Sequence, residues 1–334
     1  MSEAPIRVAV AGVGEFGRNH VRVWRETPGA ELAGVFDIDL ERAGRVAAEF
    51  STRAFPSLEA LLAERVAAVS LAVPTKAHAS VGARLLESGV DVLVEKPIAS
   101  TVEEADRLIA AARGGRRILQ VGHVERFNPA VVAAQKILSR PLFFEVHRLG
   151  IFTPRSLDID VVYDVMIHDL DILLTLVEAR VTDLRAVGIP VVTDKVDIAH
   201  ARLEFSTGTV ANLTASRVST ERVRKMRFFQ EHEYVSLDFG RQDVLRIRVK
   251  TGAGGAEAGN GQPEIGFEKW PTEPEEPLRA ELRAFLESVR TRRAPVVDGA
   301  AGRAALELAD RVMAGILEHA RRVQLGAFSP QGAR

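Results

Sequence analysis

Residues 6–17 read IRVAVAGVGEFG, and the rest of the chain is interpreted outward from them. IRVAVA has the length and composition of a strand buried on both faces. Gly12-Val13-Gly14-Glu15-Phe16-Gly17 follows it directly and opens a helix. In such a G-x-G-x-x-G turn the first glycine permits the tight bend. The second lets the backbone approach a pyrophosphate, and the third lets helix pack on strand. The string alone is weak, because many Gly-rich turns look like it. Its context strengthens it: Asp37 closes the next strand-like run, ELAGVFD, twenty residues beyond Gly17. A carboxylate there accepts hydrogen bonds from the ribose hydroxyls of an adenosine. Asp37 would repel a 2′-phosphate, and Ile38 rather than an arginine follows it, so the pair favours NAD over NADP. Gly12, Gly14, Glu15, Phe16, Gly17, Asp37 and Ile38 form the first group of cofactor candidates, although a solvated turn would also account for Asp37 by itself.

Working outward, IRVAVA, ELAGVFD, VAAVSLAV, VDVLVE and RRILQVG are five near-continuous apolar runs separated by amphipathic helical segments. That alternation predicts an α/β, doubly wound parallel sheet of the Rossmann type over residues 1–124. Ser100 with Glu103 reads as a capping box for a helix that stops at Gly114-Gly115. Ala72-Val73-Pro74-Thr75 ends a strand at the same sheet edge, so Ala72, Pro74 and Thr75 are further candidates to line the cofactor. After Phe127 the pattern changes. Asn128-Pro129 starts a helix, with Asn as its cap and Pro at its first position. Then PLFFEVHRLG, a helix near Val161 to Glu178, VTDLRAVG, VDIAHARLEF, TVANLTASR, VRKMRFFQ, EYVSLDF and VLRIRVK alternate apolar and polar residues. Residues 125–330 therefore read as an α+β domain with a large, mostly antiparallel open sheet, whose free face suits a homodimer or homotetramer. Ser206-Thr207-Gly208 reads as a hairpin turn, and residues 252–264 as a mobile Gly-rich loop. Two helices close the chain, one opening at Pro277 and one capped by Asp298, before a frayed tail from about Leu325.

Composition bounds the chemistry. At 334 residues and 46% hydrophobic content the chain suits two globular domains. Its 44 Lys and Arg nearly cancel its 45 Asp and Glu, leaving no global field to hold nucleic acid or an anionic membrane. The basic run 221–227 is too local to change that expectation. Zero cysteines exclude disulfides, thiolate metal ligands and cysteine nucleophiles. No signal peptide is recognisable, and no run reaches the roughly 18 apolar residues of a spanning helix. A cytoplasmic protein without membrane contact is expected.

Lys96, in Glu95-Lys96-Pro97 just after VDVLVE, projects from the carboxyl edge where ligands of such sheets bind. A partly desolvated lysine beside a nicotinamide cation can take part in proton transfer. Tyr163-Asp164-Val165-Met166-Ile167-His168-Asp169-Leu170-Asp171 lies on a helix, and Asp164 and His168, four apart, share one face. Histidine as a type titrates near neutrality, so His168 can accept the proton of a substrate hydroxyl while a hydride leaves the same carbon. Asp164 would hold the ring or the substrate. A surface lysine and a helix-face ion pair explain the same residues separately. His168, Asp164 and Asp171 are not a recognisable ligand set, so no metal is expected.

Together these features resemble the glucose-fructose oxidoreductase/inositol dehydrogenase (Gfo/Idh/MocA) family over nearly the whole chain. The resemblance rests on Gly12 to Gly17 with His20, Pro74-Thr75 with His78, Glu95-Lys96-Pro97, and Asp164 with His168. It implies that Lys96, Asp164 and His168 form the catalytic group and that His78, Glu95 and Lys96 also border an NAD site. A finer resemblance, carried by residues 121–130, 161–169 and 211–219, is to the UDP-N-acetylglucosamine 3-dehydrogenase branch. This branch makes a 3-keto sugar nucleotide that is later aminated for lipid A-type glycolipids in lipopolysaccharide biosynthesis. It implies a UDP-sugar substrate bound by Lys96, His123, Arg126, Asn128, Asp164 and His168, with Arg217, Arg224 or Lys225 meeting the diphosphate. His168 is the expected base and Lys96 the group that stabilises the developing alkoxide, with the reverse assignment of the two roles left open. Asn128 is explained independently as a helix cap. A dehydrogenase of a free polyol, inositol, aldose or another UDP-sugar, and an NAD-sensing binding subunit, are the alternatives.

Overall fold

The computed structural model describes residues 4–153, 159–250 and 264–325. The chain opens with β1 (Ile6–Ala11), α1 (Glu15–Glu26), β2 (Ala30–Phe36), α2 (Leu40–Glu49), β3 (Ala54–Phe55) and α3 (Leu58–Ala63). There follow β4 (Ala68–Leu71), α4 (His78–Glu87), β5 (Asp91–Glu95), α5 (Val102–Gly115) and β6 (Leu119–Gly122). The six strands run parallel in the order β3-β2-β1-β4-β5-β6. Every residue of β4, β5 and β6 is buried, as strands covered on both faces must be. The sixth strand is the two-residue β3, too short to leave a periodic signal beside the five runs expected.

Two local expectations shift. The cap of α5 is Thr101, whose hydroxyl accepts from Glu104 N–H at 3.2 Å, while Glu104 reaches back to Ser100 N–H at 3.1 Å. The box thus lies one residue beyond Ser100 and Glu103. At the other end Gly114 and Gly115 stay helical, and Arg116 takes the left-handed conformation (φ 51°).

The second sheet begins after α6 (Pro129–Gln135), where Asn128 caps as expected through Oδ1 to Ala130 N–H at 3.1 Å. It contains β7 (Pro141–Ile151), β8 (Val181–Ile189), β9 (Ile198–Phe205), β10 (Val210–Ser219), β11 (Val223–Gln230), β12 (Glu233–Asp238), β13 (Asp243–Lys250) and β14 (Glu264–Trp270). The order is β14-β13-β12-β11-β7-β10-β9-β8, antiparallel except for the parallel pair β7 and β10. The Gly208 turn (φ 85°) joins β9 to β10 as a hairpin. In β9, Ala199, Ala201, Leu203 and Phe205 are buried while His200 and Arg202 are exposed. Between β7 and β8, Val162–Met166 form a π-turn that leads into α7 (Ile167–Val177). Residues 252–263 of the proposed mobile loop and residues 326–334 of the proposed tail lie outside the described residues, whereas Glu264 already belongs to β14.

α8 (Pro277–Thr291) and α9 (Gly299–Arg322) complete the chain, with Asp298 Oδ1 accepting from Ala301 N–H at 2.9 Å. The division is not the contiguous 1–124 and 125–330 expected. The first compact unit extends to Phe127 and also takes Glu276–Glu307; the second is Asn128–Glu275 with the chain from Leu308. The reason is apolar: Leu278, Leu282, Phe285, Leu286 and Val289 of α8 fill the same core as Val8, Val10, Val21 and Trp24.

Candidate functional site

Because the strands of the first sheet are parallel, the segments after β1, β2, β4, β5 and β6 all emerge at one edge. Gly12 sits there at φ 84°, and a Cβ on it would lie 2.6 Å from the backbone of Ala72 and Val73. A Cβ on Gly17 would fall 1.9 Å from the Gly12 carbonyl oxygen, so only glycine lets α1 approach the turn this closely. A Cβ on Gly14 would meet nothing within 4 Å. The first turn of α1 has no side-chain cap. Open space over uncapped N–H groups is what a pyrophosphate requires.

Asp37 is buried. Its Oδ2 accepts from Val13 N–H at 2.8 Å and its Oδ1 from Asp39 N–H at 2.9 Å, locking the carboxylate to the glycine turn. Arg42, which the sequence reading passed over, places Nη1 3.4 Å from Asp37 Oδ2. Phe16, in the first turn of α1, and Ile38, next to Asp37 in sequence, are exposed apolar side chains, and Glu15 is exposed at the start of α1. These residues fit a dinucleotide: the glycine turn would hold the pyrophosphate and Asp37 the adenosine ribose. Ala72 and Thr75 are half-buried and Pro74 is exposed on the loop after β4.

Two buried histidines bind these loops together. His78 places Nδ1 2.9 Å from Pro97 O and Nε2 2.9 Å from Val73 O. Each ring nitrogen thus faces a backbone carbonyl, so His78 links the segment after β4 to the segment after β5. Burial pushes its pKa below the ordinary histidine value, against the pull of those two carbonyls. Glu95 is buried beside the second of these histidines. Its Oε1 lies 2.9 Å from Nε2 of the fully buried His20, and its Oε2 accepts from Lys96 N–H at 3.3 Å. It anchors Lys96, which is half-buried at the end of β5. His20 was legible as a motif position, but its partner stands 75 residues away and no local pattern names it.

His123 follows β6 and is buried, and Arg126 donates from Nη2 to Val296 O at 3.3 Å. In the second unit Asn128 is buried, with Oδ1 on the α6 cap and Nδ2 donating to Phe239 O at 3.1 Å. Arg217 is buried: Nε donates to Asp197 Oδ1 at 2.8 Å and Nη2 to Ile159 O at 2.6 Å. Lys225 stands 3.9 Å from Asp238 on the sheet face opposite the helices. Arg224 is exposed on the other face, directly across from Arg148 of β7.

Asp164 lies in the π-turn and His168 in the first turn of α7, both half-buried. The next residue, Asp169, makes a buried two-point pair with Arg148, Nε to Oδ2 at 2.9 Å and Nη2 to Oδ1 at 2.7 Å. Arg148 also lies 4.7 Å over the Phe239 ring. This fastening of α7 to the sheet beside His168 had no signal in the sequence. Among the described residues no group of three His, Asp or Glu could hold a metal ion. The first unit therefore offers a glycine turn and carboxylate that fit a dinucleotide, with Lys96 at the same sheet edge, and the second an aspartate and a histidine four residues apart beside the Arg148–Asp169 pair.

Residues 6–123 match the family model described as the GFO_IDH_MocA "Oxidoreductase family, NAD-binding Rossmann fold", and residues 137–234 match the "GFO/IDH/MocA C-terminal domain". The chain is 44% identical over 308 residues, 92% of its length and 96% of the relative's, to a UDP-N-acetylglucosamine 3-dehydrogenase of Acidithiobacillus ferrooxidans. A solved structure of the enzyme of that name from the same organism superposes with a TM-score of 0.86 at 41% identity, covering 94% of this chain and 98% of that one. An inositol 2-dehydrogenase of Saccharopolyspora erythraea is 34% identical over 51% of this chain and 54% of its own.

Proposed function

The chain belongs to the Gfo/Idh/MocA family of oxidoreductases, and from that premise we propose that it oxidises the C3 hydroxyl of UDP-N-acetylglucosamine to a ketone with NAD. The observation that carries the substrate is the identity of 44% sustained over nearly the full length of both chains. The inositol enzyme aligns over only about half of each. NAD is preferred to NADP because the Asp37 carboxylate stands where a 2′-phosphate would have to enter; Arg42 softens that repulsion without removing the carboxylate.

Bound NAD would supply the hydride acceptor. The rest is the work of the chain's own side chains. His168 Nε2 or Nδ1 takes the C3 hydroxyl proton, and Asp164 orients the ring or the neighbouring sugar hydroxyl. The Lys96 ammonium stabilises the negative charge that grows on oxygen as the carbon gives up its hydride, while the His20–Glu95 pair holds the Lys96 backbone N–H. Arg224 meets the diphosphate, and His123 and Arg126 border the sugar. The product suits later amination for lipid A-type glycolipids, and a cytoplasmic enzyme is the setting we assign.

The second unit's free sheet face supports a homodimer or homotetramer. One rung crosses six strands there: Val210, Phe143, Phe229, Tyr234, Ile247 and Phe267 stand in register.

NADH formation with UDP-N-acetylglucosamine, UDP-glucose, inositol and glucose, each with NAD and NADP, tests the proposal. Turnover of UDP-N-acetylglucosamine with NAD, lost in His168→Ala and Lys96→Ala, is the expected result. Preferential turnover of inositol or a free sugar would replace the substrate, and preference for NADP would replace the cofactor assignment.

A further inference from the structure

A carboxylate offers about four acceptor sites on its two oxygens, and the partners of Asp37 already take most of them. Val13 N–H at 2.8 Å and Arg42 Nη1 at 3.4 Å share Oδ2, and Asp39 N–H at 2.9 Å takes a site on Oδ1. About one site is left, whereas an adenosine ribose presents a pair of adjacent hydroxyls. For both to donate, one present partner must leave. Val13 and Asp39 give backbone N–H groups, one from the glycine turn and one from the cap of α2, and neither withdraws without moving an element. Arg42 can. Its contact is the longest of the three, its side chain is 44% exposed, and its Nη2 already stands 3.1 Å from Asp39 Oδ2. The Asp39 carboxyl is held below the usual carboxylate range, first by the Arg42 N–H and further by the charges of Arg42 and Arg45, so it remains an anion for Arg42 to rest on.

A 2′-phosphate changes the balance. It brings negative charge where the ribose brings a donor, and Asp37 and Asp39 both repel it. A guanidinium is the group that holds phosphate oxygens by charge-assisted hydrogen bonds. Two arginines of the neighbouring helices are engaged elsewhere, Arg18 with Glu49 at 2.8 Å and Arg45 with Glu41 at 3.7 Å. Among the described residues Arg42 is the cation paired with Asp37.

We propose that Arg42 sets the discrimination between NAD and NADP. It steps from Asp37 to Asp39 when a ribose diol binds and stays as the counter-charge when a 2′-phosphate does, so NADP is bound weakly instead of being excluded. The inference rests on the dinucleotide reading of Asp37 and the glycine turn, and is independent of the sugar. Calorimetric titration of the full chain with NAD and with NADP, in the absence of sugar, tests it. The parent should bind both, NAD the more tightly. In Arg42→Ala a charge-assisted hydrogen bond to the phosphate is lost, so the NADP dissociation constant should rise about ten- to a hundredfold. The constant for NAD should fall by up to about fivefold, because an exposed ion pair that competes for Asp37 is gone. Asp39→Asn still caps α2 but gives Arg42 no charge to step onto, so it should move the ratio of the two constants the other way. A parent chain that binds NAD but not millimolar NADP would overturn the proposal. So would an Arg42→Ala variant in which both constants rise together, which would set Arg42 against a part the two dinucleotides share, or one whose ratio stays within about threefold of the parent's. Binding of neither dinucleotide by the parent would sink the cofactor reading as well, whereas an unmoved ratio strikes the role of Arg42 alone.

Discussion

Asp197 is buried, which alone would raise its pKa, but the N–H groups of Thr193, Val192 and Val191 and the Thr193 hydroxyl outweigh burial and hold it well below the usual carboxylate range. Arg217 completes that cluster, so its charge is spent on an internal carboxylate. Removing one member of a buried pair costs about 3–5 kcal/mol, because the other charge is stranded. Arg217→Ala should therefore lower the unfolding midpoint in denaturant markedly while leaving the KM for a UDP-sugar unchanged in the folded fraction. Arg224→Ala should do the reverse. Losing a charge-assisted hydrogen bond of about 1.5–3 kcal/mol would raise that KM roughly ten- to a hundredfold with little change in stability. Steady-state kinetics and a urea titration on the two variants separate the roles, and an unchanged KM in Arg224→Ala would remove it from the diphosphate site. Part of this sorting was legible. Residues 224 and 225 are neighbours on a strand and must point to opposite faces. The Arg217 partner stands just before the adjoining strand of the Gly208 hairpin, where Arg217 N–H also donates to Asp197 O at 3.0 Å, but the turn residues alone do not fix the register that sets the two opposite each other.

At the scale of elements, the candidate site depends on loops linked to one another, and this carries a pH dependence with a definite sign. The folded-state pKa of His78 is lowered, first by burial. Folding therefore favours the neutral ring, and its contribution is present above the ordinary histidine value of 6.5 and is lost as pH falls through the folded value. His200, exposed on β9 yet partly desolvated by its neighbours and repelled by His147, is lowered in the same direction. The thermal midpoint should drop between about pH 7 and pH 5, and His78→Gln, which keeps one donor for one carbonyl, should flatten part of that slope. A midpoint curve of parental shape in His78→Gln would assign the slope elsewhere. The elements themselves were largely readable because their signals are periodic: five apolar runs, the Asn128-Pro129 helix start and the Gly208 hairpin all stand where their patterns placed them. What escaped were features without a period. The two-residue β3 is one, and the box at Thr101 instead of Ser100 is another, since Ser-Thr followed by Glu-Glu offers two registers. The π-turn is a third, because it is tied through Asp160 and Tyr163 to partners distant in sequence.

At the scale of the whole molecule, the question is what covers the free face of the eight-stranded sheet. The opposite face is filled: Gly315 of α9 packs on Leu184 and Ala186, and Asp169 of α7 reaches Arg148. On the free face Phe143 and Phe229 stack with ring centroids 5.6 Å apart, and Phe229 meets Tyr234 edge-on at 5.2 Å. Phe267 at the end of the rung is 71% exposed, an uncommon state for so large an apolar side chain without a partner. The next rung is polar and carries both signs, Glu145 paired with Arg227 at 2.9 Å and Lys269 across from Leu245. An apolar stripe bordered by mixed charge can meet its own copy about a two-fold axis, where each contact occurs twice. Burying one phenylalanine contributes about 1.5–3 kcal/mol, so introducing a charge at such a position weakens a two-fold interface by about twice that. At 1.4 kcal/mol per factor of ten, Phe229→Glu should raise the dimer dissociation constant by at least a hundredfold. Sedimentation velocity should then find the parent chain at a multiple of 36.4 kDa and Phe229→Glu at 36.4 kDa itself. The stripe runs across the sheet on the face opposite α7, so NAD binding by the variant should persist. A variant that sediments with the parent at the same concentration would show that the assembly, if any, is built through a different surface.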